Sequence, residues 1–310
     1  MGTRLDFYIP GLDGPGGGGP IIFSKRLKSE LKKQGLRFSK DGHNIINIIT
    51  GQYEEGKNNI LRLDGLYLDS NDTIGDSNEM NKLIFKSYDQ ADHIIFQSVF
   101  SKLSYESFTG KIKPNSIIAN GVPEIFFEDK AVSKPRGFDK VVIASAQWRR
   151  HKRLEEIIQV FKHEKLKRIA LVVLGLDSDL HGIRGVENIF RVPLVDTDDL
   201  PQFYQMADAM IHIPWIDWCP NTVVEGLASR LPVLCSHNGG TKELVGKDGI
   251  ILEIEEDYEI GSRINLYNPP DINIETVVQG VLDILDVPKI NTREDLKISN
   301  VANSYKRLFK

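Results

Sequence analysis

The sequence predicts an α/β protein built from two facing, doubly wound domains with parallel sheets and a ligand cleft between them. Three observations lead there. Short apolar strand-like runs alternate with amphipathic helical segments in both halves of the chain, which implies parallel sheets covered on both faces by helices. The polar stretch "EDKAVSKPRGFD" (128–139), with Pro135 and Gly137, separates two such series. The length of 310 residues fits two domains, each large enough to bury a core.

In the first half, "LDFYIP" reads as a buried strand broken by Pro10 and Gly11. A helix follows from Ile21, with Ile22, Leu27 and Leu31 on one face, Lys25, Arg26, Lys28, Lys32 and Lys33 mostly elsewhere, and a stop near Gly35. "NIINIIT", "NNILRLDG", "HIIFQS" and "NSIIANG" are strands, and "NEMNKLIFKSYDQAD" is a helix. In the second half the strands are "KVVIASA", "RIALVVLG", "AMIHIP" and "LPVLCS". Their helices are "KRLEEIIQVFKHEK", "DLPQFYQMAD" and "NTVVEGLASR", and "ETVVQGVLDILD" and "LKISNVANSYKRLFK" close the chain. The domains expected are 1–134 and 135–290, with a helix in 291–310 packing back toward the first.

Composition narrows the function. A net charge of −4 argues against a nucleic-acid partner, which demands a basic face. The two cysteines, Cys219 and Cys235, show no zinc spacing and read as reduced thiols. No signal peptide opens the chain and no apolar run suits a membrane span, so the expected location is cytoplasmic. The cations of Lys25–Lys40 read first as a solvated face. Peripheral contact with a membrane surface or an anionic acceptor is the second reading.

Three stretches carry chemistry. In "GLDGPGGGGP" (11–20), Gly14, Gly16 and Gly19 satisfy the spacing of a dinucleotide-binding turn between strand and helix. The ribose-binding acid such a domain wants is missing from the end of the next strand, "IITGQYEE". An NAD-dependent oxidoreductase is therefore the alternative enzyme class, and a mobile loop the alternative to an anion cradle. "SAQWRRHKRLEE" (145–156) gathers Arg149, Arg150, Lys152 and Arg153 where a helix opens. Positive charge there opposes the helix dipole unless an anion such as a diphosphate offsets it. In "PWIDWCPNTVVEGLASRLPVLCSHNGGTKELVGKDG" (214–249), Asp217 and Glu225 have seven residues between them, a helix starts near Pro220–Thr222, and Gly239–Gly240 follow the next strand. Such paired loops suit a nucleotide diphosphate sugar.

That last stretch resembles the signature of family 4 glycosyltransferases, which have the GT-B fold of two Rossmann-like domains. The family pattern of two acids separated by seven residues, then "G-x-P-V" and "GG-x-x-E", is matched here by Asp217 and Glu225, "SRLPV", and Gly239-Gly240 with Glu243. "IIANGVPEIFF", "HKRLEEII" and "LPQFYQMADAMIHIP" resemble further family elements. The match is dense in the second half and thin in the first, which is short, as in compact members from large viruses or capsule gene clusters.

The resemblance implies a retaining hexosyltransferase using a nucleotide-diphosphate sugar, of GDP-mannose or UDP-glucose type, on a glycan or other hydroxyl acceptor. It implies that Glu225 holds the nucleotide ribose and Lys152 the donor diphosphate. The family arginine falls to Arg149, with Arg150 beside it. Asp217, where the family mostly has Glu, goes to the sugar, and Asp64 stands where a histidine is common and is assigned to the sugar too. Cys219, Pro220, Asn221 and Thr222 complete the donor loop, and Gly17 and Gly18 the glycine cradle. No cofactor and no metal are required. The triplets Asp177–Asp179 and Asp196–Asp198 look like metal-binding acids but read as a loop and a helix-entry cluster. A non-catalytic sugar- or nucleotide-binding protein is the non-enzymatic alternative.

Overall fold

Among the described residues, two six-stranded sheets, each wholly parallel, organise the chain. The computed structural model describes residues 5–12, 18–51, 53–72, 75–129, 132–175, 186–192, 195–196 and 198–310. The first sheet has the order β2-β1-β3-β4-β5-β6, from β1 (Asp6–Tyr8), β2 (Arg37–Phe38), β3 (Asn44–Ile48), β4 (Asn58–Leu63), β5 (His93–Phe96) and β6 (Asn115–Ile117). The second has the order β12-β11-β10-β7-β8-β9, from β7 (Lys140–Ser145), β8 (Ile169–Leu174), β9 (Ile189–Val192), β10 (Ala209–His212), β11 (Val233–Ser236) and β12 (Gly249–Leu252). Strands β4, β8 and β10 are buried throughout, as strands covered on both faces must be.

Helix α1 (Gly19–Lys33) opens with Pro20 in its first turn, where a missing N–H costs nothing, and has Lys32 and Lys33 at its C-terminus, where cations suit the dipole. Its inward stripe is Phe23, Leu27 and Leu31, a four-residue repeat. Ile22, expected on that stripe, is 37% exposed instead. Helix α2 (Ser77–Gln90) is capped by Asp76, which accepts from the N–H groups of Asn78 and Glu79. Helix α3 (Val99–Thr109) is capped by Ser98 and ends on Gly110 in the left-handed conformation.

In the second domain, α4 (Leu154–Phe161) and α8 (Ile274–Ile284) cover one face of the sheet. The other face packs against α5 (Leu200–Met206), α6 (Asn221–Ala228) and α7 (Thr241–Val245). Val122 and Phe126 already belong to this second core, ahead of the expected boundary at 134–135. After α8 the chain returns: Ile298 N–H donates to the Val122 carbonyl at 2.9 Å. Helix α9 (Ile298–Lys306) then lays Ile298, Val301, Ala302 and Tyr305 among Phe7, Phe23 and Leu27 of the first domain.

Candidate active site

A cleft of about 880 Å3 lies where the two sheets meet. Its walls include the residues at or just after the C-terminal strand ends of both: Ile49, Asp64 and Gln97 from the first, Ser145, Gly175 and His212 from the second. Ligands of open parallel sheets bind at this end, because the loops there are free to carry chemistry.

Lys152 lies in a short turn after β7, and its ammonium donates to the Asp217 carboxylate. The same Asp217 oxygen faces His212 Nε2 at 3.0 Å, and the Trp218 N–H donates to the other at 2.9 Å. Burial resists ionisation of Asp217, but Lys152 and His212 outweigh it and hold the carboxyl below the usual range. Burial lowers the pKa of His212 against the opposing pull of Asp217. Next to Lys152, burial and its positive neighbour push His151 down to about 3.

Of the two arginines, Arg149 lines the cleft. Arg150, expected to bind donor, instead pairs with Glu156 on α4 at 2.6 Å and is absent from the cleft wall. Arg153 also leaves the expected cluster. It sits at φ +60°, fully buried, pairs with Glu255 and donates to the Pro270 carbonyl at 3.0 Å. The basic run is thus split by one turn of backbone into a cleft-facing, a surface and an internal part.

Glu225, on α6, is buried, and both its oxygens are engaged. Oε1 accepts from Arg26 Nη2 at 2.7 Å, and Oε2 from the Tyr204 hydroxyl at 3.0 Å. Burial and Glu225 raise the Tyr204 pKa well above its ordinary value, so that hydroxyl stays a donor. Arg26 lines the cleft, whereas the sequence reading sets it among the outer cations of α1. Its position three after Phe23 and one before Leu27 sets it on the inward stripe, and that spacing could have found it.

The first domain supplies Asp64, whose carboxylate pairs with the buried Arg62 and accepts from Gln97. Burial raises the Asp64 pKa against the pull of Arg62. Gly65 beside it adopts φ +136°, and a Cβ there would strike the Trp218 ring from the second domain. Asp64 lines the cleft, and the glycine after it leaves room for the Trp218 ring. Asn120, from the "IIANG" element, accepts from Arg62 at 2.6 Å and donates to Asn221 Oδ1 at 2.8 Å and the Cys219 carbonyl at 3.1 Å.

Cys219, Pro220, Asn221 and Thr222 all line the cleft. Burial pushes the Cys219 thiol up to about 12, so what this residue offers is its backbone. Asn221 Nδ2 donates to the Gly19 carbonyl at 3.0 Å, tying the end of the glycine loop to α6. Gly18 and Gly19 line the cleft; Gly14, Gly16 and Gly17 lie outside the described residues. So do Asp177–Asp179, whereas Asp196 accepts from the Asp199 N–H at 3.0 Å in the turn before α5. Gly239 adopts φ +87°, and a Cβ on it would meet the Asp217 backbone, so the glycine pair lets the loop after β11 pack against the Asp217 loop.

Residues 126–268 match the model of the family described as glycosyl transferases group 1. Over those residues the second domain is similar to group 1 glycosyltransferases. The whole chain has the GT-B fold: sucrose-phosphate synthase (tll1590) from Thermosynechococcus elongatus superposes with a TM-score of 0.71 at 12% identity, covering 98% of both chains. HepE of Anabaena, in complex with UDP and glucose, gives 0.62 at 11% identity over 98% of both chains. WaaG, a glycosyltransferase involved in lipopolysaccharide biosynthesis, gives 0.61 at 11% identity over 98% of this chain and 95% of its own. No curated protein matches the chain by sequence. The second domain thus contributes Lys152, Asp217 and Glu225 to the cleft, and the first contributes Arg26 and Asp64.

Among the described residues, no helix is long and apolar enough to cross a membrane. A second hollow, of about 560 Å3, is lined by Lys25, Lys28, Lys32 and Lys33 on the outer face of α1. It holds none of the expected site residues.

Proposed function

We propose that this chain is a retaining, metal-independent hexosyltransferase. It would transfer a sugar from a UDP- or GDP-linked donor to the hydroxyl of a glycan or other acceptor. The observation that carries this reading is the meeting, in one cleft of a domain similar to group 1 glycosyltransferases, of Lys152, Arg149, Asp217 and Glu225. The bound UDP and glucose of HepE, a GT-B structure, support the donor class.

In this reading Glu225 accepts from the ribose hydroxyls, Asp217 from the sugar, and Lys152 with Arg149 faces the diphosphate. As the bond from sugar C1 to phosphate oxygen breaks, negative charge grows on the leaving diphosphate, and fixed cations stabilise it most at that point. The acceptor oxygen bonds to C1 on the same face, and its proton passes to a leaving phosphate oxygen. A double displacement needs a free carboxylate nucleophile, and Asp64, Asp217 and Glu225 each already accept from a cation. That favours the front-face route. The basic outer face of α1 would give weak contact with an anionic surface or acceptor.

A panel of UDP- and GDP-sugars, followed by NMR for release of nucleoside diphosphate and for product anomeric configuration, tests the reading. Turnover of at least one donor with retained configuration is the expected result. An inverted product would sink the mechanism. Nucleotide binding without turnover of any donor would leave a binding protein, and preference for NAD would overturn the donor class.

A further inference from the structure

Arg26 spends a buried guanidinium on a single hydrogen bond. Its side chain is 7% exposed, its carbon lies 5.6 Å from the centre of the Phe126 ring, and Nη2 donates to Glu225. Nε and Nη1 are buried and have no hydrogen-bond partner among the described residues. A guanidinium presents five N–H donors in a fixed fork, and leaving some unmet away from water is costly. Arg26 also lines the cleft. The unmet donors of a buried cation facing a ligand cleft call for anionic oxygens as the missing partners, and the fork geometry suits a phosphate.

We propose that Arg26 is the first domain's contact with the donor, holding Glu225 through Nη2 and offering Nε and Nη1 to the phosphate next to the ribose. This rests on Glu225 being the ribose acceptor, as proposed above. In a nucleoside diphosphate the α-phosphate is joined to C5′ of that ribose, across the ring from the hydroxyls that Glu225 would hold, a separation that a guanidinium fork beside Glu225 can bridge. Because Arg26 comes from α1 and Glu225 from α6, the contact exists only with the two domains together. Arg26 therefore makes diphosphate affinity depend on cleft closure. It is a specificity residue for the charged part of the donor and leaves the nucleoside part to the second domain.

The test compares the full chain with Arg26→Gln and Arg26→Lys by ligand-observed NMR, titrating UDP, GDP, uridine and guanosine, with thermal melts to report folding. Arg26→Gln should weaken the bound diphosphate about tenfold or more and the matching nucleoside less than about threefold. Arg26→Lys keeps a cation without the fork and should lose about three- to tenfold on the diphosphate alone. Should Arg26→Gln not fold, the Lys variant decides on the same comparison. Equal losses on diphosphate and nucleoside, or no loss on either, overturn the assignment. If the unaltered chain binds neither diphosphate, the ribose-site reading itself fails and the Arg26 assignment falls with it.

Discussion

Lys152 is held by Asp217, so a diphosphate entering the cleft competes with that carboxylate for the ammonium. Substitution Lys152→Ala should lower turnover on the order of a hundredfold or more, the scale of losing one charge-stabilising group in an enclosed site. Steady-state rates on a donor found by the sugar-nucleotide panel would check this, and full activity in the variant would remove Lys152 from the mechanism. The histidines beside it govern pH dependence. His151 has a folded pKa of about 3, while an unfolded histidine titrates near about 6.5. Unfolding below about pH 6.5 therefore takes up a proton, so the stability His151 contributes is complete above that pH and is lost as pH falls toward its folded value. At pH 5 the loss is about 2 kcal/mol. Melting curves at pH 7.5 and 5 should separate, and His151→Phe should narrow the gap; an unchanged gap would contradict the assignment. At this scale the sequence points to Lys152, Asp217 and Glu225 through the resemblance and through loops that follow strands, and all three line the cleft. Arg26, Asn120 and Tyr204 were not legible, because their partners lie far away in sequence, up to 199 residues for the Arg26–Glu225 pair.

Helix α3 shows how an element of one domain is finished by the other. Its first N–H groups, from Val99 and Phe100, donate to the two carboxylate oxygens of Glu243 at 2.6 and 2.7 Å. Glu243 is the acid of the "GG-x-x-E" run, and its charge suits the positive end of the helix dipole. Glu243→Ala should destabilise the chain by about 1–2 kcal/mol, read as a lower denaturation midpoint. A midpoint equal to that of the unaltered chain would mean the cap is idle. The elements legible in sequence were those with long apolar runs or clean helical periodicity, such as β8 and α8. Strands β2, β9 and β12 and helices α3 and α7 lack such a signature. Strand β2 spans only two residues and α7 five, too few to show a period, and β9 and β12 have largely unburied patterns. In α3, "VFSKLSYESFT", the serines Ser101 and Ser104 are buried and Val99 and Leu103 exposed, so polarity and burial disagree.

Across the whole molecule, the second domain closes with its own core, whereas the first borrows its outer layer from the far end of the chain. Tyr305 packs against Phe23 with the rings tilted and their centroids 6.1 Å apart, and the Lys310 N–H donates to Asn44 at 2.9 Å. Removing residues 291–310 would bare Phe23, Leu27 and their neighbours at a cost of about 5 kcal/mol or more, comparable with the whole stability of a small domain. The truncated chain should lose the cooperative melt of the first domain or fail to stay soluble. A melt identical to the full chain would contradict this account of α9. The two-domain fold was legible from alternation alone, but how the domains meet was not, since it depends on side chains such as Glu243, Asn120 and Arg26 reaching across. The account stands on that meeting producing one donor site. A crystal structure of the chain soaked with UDP or GDP tests it most directly. The ribose should lie on Glu225 and the phosphates between Lys152 and Arg149. A nucleotide seated elsewhere, for instance only in the lysine-lined hollow of α1, would contradict it.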